Sequence, residues 1–95
     1  MKHLLSAALV LLLSSQLIAA PLMGKSTGYE WRKASRQERG ALVEDALRRL
    51  KASYPASEMM ACLNEVFSDP IKPHIHGREL AEVMTFCHIQ IKGAY

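Results

Sequence analysis

Apolar residues recur at helical spacing in three separate stretches of this chain of 95 residues. In the first, Leu42, Val43, Ala46, Leu47 and Leu50 line one stripe of an α-helix. Ahead of it, Ser35-Arg36-Gln37-Glu38 is an S-x-x-E capping box. There the serine oxygen accepts from the N3 amide and the glutamate reaches back to the cap. Glu44–Arg48 and Asp45–Arg49 add i,i+4 pairs in the favoured order. The pattern predicts a helix from Arg36 to about Ala52, closed by Tyr54-Pro55, because the residue before proline is pushed out of helical geometry.

The second stretch places Met59, Cys62, Leu63, Val66 and Phe67 on one face. Ser57 is the expected N-cap and Ser68-Asp69-Pro70 the stop, which predicts a short helix over Glu58–Phe67. Residues 69–77 hold two prolines and a glycine and are expected to be irregular. The third stretch starts near Arg78 and carries Leu80, Val83, Met84, Cys87 and Ile91, with Gly93 as the expected C-cap. Gly28-Tyr29-Glu30-Trp31 has no periodicity and reads as an extended lead-in. Strand signals are sparse, so the expected fold is all-α: a small three-helix domain.

The first residues follow another logic. Met1-Lys2-His3 is basic, residues 4–13 are almost wholly apolar, and Leu17-Ile18-Ala19-Ala20 ends the run in small residues. That order is a secretory signal peptide; a membrane span needs roughly 20 consecutive apolar residues, and this run is broken at Ser14-Ser15-Gln16. Residues 1–24 are therefore read as a cleaved signal helix, cut after Ala19 or after Gly24, and residues 25–95 as one domain. No cysteine follows the apolar run, so no lipid anchor is expected, nor stable membrane insertion once the leader is removed. The expected location is periplasmic or secreted.

In that compartment thiols oxidise. Only Cys62 and Cys87 are available, so they are expected to form one disulfide between the second and third helices. A domain of about 70 residues has a marginal core. The staple is therefore expected to carry much of its stability.

Charge narrows the partners. Without Lys2 the chain holds eleven Lys and Arg against nine Asp and Glu, a balance of +2. Such a surface does not read as a nucleic-acid binder. A basic cluster nevertheless gathers at the start of the first long helix: Arg32, Lys33, Arg36 and Arg39, next to Trp31. It serves either as a solvated face or as a contact for anionic lipid head groups or an acidic partner. Trp31 is either an exposed hot spot or a side chain that folds back over the core, the latter favoured because a small bundle needs its largest side chain.

His74-Ile75-His76 is an H-x-H, and His88 follows Cys87. Imidazoles held close bind Zn²⁺ or Cu²⁺, and Met59, Met60 and Met84 are soft donors that equally serve as core filler. Two ligands in one motif fall short of the four of a structural zinc site. No cofactor is expected. No G-x-S-x-G, H-E-x-x-H or similar catalytic signature occurs, and Glu79 and Glu82 are expected to be solvated.

The span Gly28–Val43, with G-x-x-W, S-x-x-E and the pair Leu42-Val43, resembles the start of assorted short exported bacterial proteins. In outline the chain is also similar to small periplasmic acid-stress chaperones, which are helical with one disulfide. The expected function is that of a non-enzymatic binding or accessory protein with a protein partner. The alternatives are a metal-handling protein using His74, His76 and His88, and an acid-stress chaperone.

Overall fold

The computed structural model describes residues 21–68 and 73–94; the apolar leader and the Asp69–Pro70 stop lie outside the described residues. Among the described residues five helices follow one another: α1 (Gly28–Lys33), α2 (Arg36–Leu50), α3 (Ala56–Val66), α4 (Pro73–His76) and α5 (Leu80–Ala94). The fold is mostly helical, with no named strand among the described residues. The three long helices occupy the three periodic stretches. α3 is the central one, packing on α2 along one side and on α5 along the other, while α1 packs on α4.

Each apolar stripe faces the shared core, except that Leu50 at the end of the α2 stripe is exposed. On α5 the five stripe positions Leu80, Val83, Met84, Cys87 and Ile91 are all buried. Met59, Leu63 and Phe67 are buried beside them, with Cys62 and Val66 half-buried. α2 contributes Val43 at full burial and Leu42, Ala46 and Leu47 in part. Cys62 and Cys87 meet where α3 and α5 touch and form a disulfide, their Cα atoms 6.1 Å apart. That separation lies within the normal range for a bridge.

The ends of the elements differ from expectation for local reasons. Gly28–Lys33 is helical, not extended. Thr27 is its N-cap, and Glu30 Oε1 accepts the Thr27 amide at 3.0 Å, reaching back as in a capping box. α2 stops at Leu50 because Lys51 turns left-handed (φ 53°), which lets the Lys51 and Ala52 amides close back on α2 carbonyls. α3 begins at Ala56, with Pro55 as N-cap in place of Ser57. Residues 73–76 form one short helix inside the segment expected to be irregular, its first position taken by a proline preset for helical φ. α5 runs through Gly93 to Ala94, so Gly93 does not cap it, and no described glycine has a positive φ.

The N-terminal segment is woven into the last helix. Thr27 pairs with Glu79 in an antiparallel bridge. The Gly28 amide donates to Arg78 O (3.2 Å), and the Leu80 and Ala81 amides donate to Ser26 O (2.7 Å) and Gly24 O (2.9 Å). These two carbonyls satisfy N–H groups that an unprotected helix start leaves without intrahelical partners.

Gly28 is the closest point of this weave. A Cβ added there would run into Cε1 and Cδ1 of the buried Phe67 ring and sit 3.0 Å from the His76 Cα. Neither neighbour can yield freely, one being a packed ring and the other backbone. Gly28→Ala is therefore expected to cost about 2–3 kcal/mol by overpacking. Urea unfolding followed by circular dichroism measures it, and a variant as stable as the parent would refute the tight contact.

Candidate functional site

The residues singled out from sequence divide into an inner and an outer set. Trp31 belongs to the inner set. It is 1% exposed, folded back over the core, and its Nε1 donates to Asn64 Oδ1 of α3 at 3.1 Å. Arg39 is bound to it. Its guanidinium lies over the indole, 5.1 Å from the centroid. Nε donates to Trp31 O (2.9 Å), a second nitrogen to Arg32 O (3.1 Å), and the third to Asn64 Oδ1 (3.2 Å). Arg39 thus caps the carbonyl end of α1 and ties it to α2 and α3. Cations are favoured at a helix C-terminus. Arg32, Lys33 and Arg36 remain exposed around this corner.

The histidines are dispersed in environment. His74 is exposed, whereas His76 is buried, tilted against the rings of Tyr29 (5.5 Å) and Phe67 (6.0 Å). His88 shares a hydrogen bond of 2.7 Å between its Nδ1 and the Tyr54 hydroxyl, which ties α5 to the α2–α3 connection. Burial pushes the Tyr54 phenol up from its ordinary value. Among the described residues, no three His, Cys, Asp or Glu side chains gather into a group able to hold a metal ion. Met59 and Met84 are buried in the core and Met60 packs at its edge.

The acidic groups serve the helices. The Ser35 amide and then its hydroxyl hold the Glu38 carboxyl below its usual range, and Arg48 and Arg49 do the same for Asp45. Glu82 is paired with Arg78 and Glu79 is exposed.

One feature of the outer surface was not read from the sequence. Phe86 is 56% exposed and Ile89 66% exposed, three residues apart on the outward face of α5. Side chains at this spacing are neighbours on a helix. Beside Phe86 lies a hollow of about 290 Å³ lined also by Val66, Ile75, Val83 and the Arg78–Glu82 pair. The signal was available: Phe86 and Ile89 are large apolar residues that fall out of register with the stripe of α5. Cys87 sits between them and is anchored to α3 by the disulfide, so the face is held on a fixed support.

Two larger hollows flank α2. One, about 500 Å³, lies under the N-terminal segment between Leu22, Leu42, Ala46, Ala81 and Met84. The other, about 490 Å³, lies between α2 and α3 and mixes Arg36, Arg39 and Glu44 with Met60. Among the described residues no helix is long and apolar enough to cross a membrane.

The geometry defines a small helical domain stapled by one disulfide, with an apolar pair displayed on its last helix. Compared with protein families, curated proteins and solved structures, the chain matches none.

Proposed function

We propose that this chain is an exported, non-enzymatic binding protein that holds an apolar helical segment of a partner protein against the outer face of α5. The exposure of Phe86 and Ile89, with an apolar hollow beside Phe86, carries this reading. Full burial of a large apolar side chain is worth roughly 1.5–3 kcal/mol, and a partner covering the exposed part of Phe86 and Ile89 recovers somewhat more than half of that for each. At about 290 Å³ the hollow is just below the roughly 300–1,000 Å³ of small-molecule clefts, a size for a side chain or two. Among the described residues its charged walls, Arg78 and Glu82, are paired with each other and ask for no charge in the occupant. An uncharged apolar segment fits these terms better than an acidic one. The disulfide supports the reading further, because a face fixed before binding loses less entropy when it binds. The leader motivates the exported half of the proposal.

The test uses a fluorescein-labelled amphipathic peptide with one leucine face and one glutamine/serine face, followed by anisotropy. The parent protein is expected to bind it. Phe86→Glu combined with Ile89→Glu is expected to weaken binding at least about tenfold, as for the loss of central apolar anchors. Melting should be little changed, since both side chains lie outside the core. No binding by the parent, or equal affinity in the double variant, would overturn the proposal.

A further inference from the structure

The N-terminal weave bears on where the leader is cut. Two scissile bonds fit the small-residue rule, after Ala19 and after Gly24. They differ in what they leave attached to the domain. Leu22 packs against the core and forms one wall of the hollow under the N-terminal segment. Met23 and Ser26 close a tight turn on each other: the Met23 amide donates to Ser26 Oγ (2.9 Å) and the Ser26 amide to Met23 O (3.0 Å). Gly24 O accepts the Ala81 amide at 2.9 Å, and a Cβ on Gly24 would lie 3.3 Å from the Ala81 Cβ. The residues on both sides of the Gly24 bond are thus parts of the fold that caps α5. Cutting there would remove the Leu22 wall and the first half of the turn, and would change the Gly24 carbonyl into a carboxylate on a departing peptide.

We infer that processing occurs after Ala19, and that residues 22–27 stay with the mature domain as a strap closing the start of α5. This rests on the exported half of the proposed function and is independent of its apolar partner. The step is hydrolysis of the Ala19–Ala20 peptide bond by a signal peptidase. Water adds across the C–N bond, leaving a carboxylate on Ala19 and a free amine on Ala20. Two residues, Ala20 and Pro21, separate this bond from Leu22, the first packed side chain among the described residues. Pro21 then occupies the second position of the product. A cut after Ala20 would instead place the scissile bond on the proline nitrogen, whose ring fixes φ and removes the N–H.

Two measurements decide it. The full chain is expressed with its own leader in a Gram-negative host, and the periplasmic product is weighed intact. A mass beginning at Ala20, less two hydrogens for the Cys62–Cys87 bond, is expected. A mass beginning at Lys25 would overturn the inference while leaving export intact. Full-length chain anchored in the membrane would overturn the inference alone, and full-length chain in the cytosol would overturn the inference and the export reading together. The second measurement compares melts of purified oxidised chains beginning at Ala20 and at Lys25. The shorter chain is expected to melt roughly 10 °C lower, the shift expected when a domain this small loses a buried leucine and a helix cap. Coincident melts would show that the strap contributes nothing and would remove the structural ground for the inference.

Discussion

Replacing Trp31 with alanine is expected to lower the unfolding free energy by about 4 kcal/mol. The indole is 1% exposed and is among the largest fully buried side chains of the described domain. Its removal leaves a cavity that α1, only six residues long, has little means to collapse. The loss extends beyond the cavity. Asn64 Oδ1 loses the indole N–H, and the Arg39 guanidinium loses the ring it lies over. A domain of about 70 residues has a net stability of roughly 4–10 kcal/mol, so the variant stands near its own unfolding midpoint. Trp31→Phe separates the contributions. It keeps most of the apolar volume but drops the hydrogen bond, with an expected cost of about 1–2 kcal/mol. Urea titrations followed by far-ultraviolet circular dichroism measure both without using the indole as the probe. If Trp31→Ala unfolded within about 1 kcal/mol of the parent, the ordinary range for a point substitution, the burial of the indole and its contacts with Asn64 and Arg39 would not carry the stability assigned to them.

The Trp31 cluster also marks where reading the sequence stops being sufficient. Helical periodicity located α2, α3 and α5, because each is long enough for a stripe to repeat over several turns. The stripes of α3 and α5 also carry Cys62 and Cys87, which the fold brings together as a disulfide. At six and four residues, α1 and α4 are too short to show a period. Their signals were local instead: Thr27-x-x-Glu30 for α1, and a proline at the first position for α4. In the sequence Arg39 stands with Arg32, Lys33 and Arg36 as one more member of a charge cluster. That its guanidinium reaches across eight residues to Trp31 O, and to Asn64 on another helix, depends on packing between elements. The same holds for the tight approach of Gly28 to Phe67 and His76, which no spacing rule announces. Phe86 and Ile89 are the reverse case. Their departure from the stripe of α5 was visible in the sequence, and their exposure gives that departure its meaning.

Opening the Cys62–Cys87 bond is expected to have an effect of similar size, for a different reason. The bridge spans 25 positions of chain. In the chain-entropy account, closing a loop of that length removes about 3.5 kcal/mol of freedom from the unfolded state. Unlike the Trp31 change, little of this is lost native contact if the cysteines become a pair of serines of similar size. Cys87 is fully buried between α3 and α5, however, so a serine there also brings a hydroxyl into the core. Cys62→Ala with Cys87→Ala avoids that polar burial and isolates the entropic part more cleanly. Both the reduced parent and the double-alanine variant are expected to melt about 15–25 °C below the oxidised parent, from about 4–8 °C per kcal/mol in a domain of this size. Agreement between them would place the stabilisation in the cross-link itself. A much lower melt for the alanine pair alone would place it in the packing of the sulfurs. Coincident melts of oxidised and reduced parent would mean that the apolar stripes hold the helices together unaided. The fixed support assigned to Phe86 and Ile89 would then have to come from the core alone.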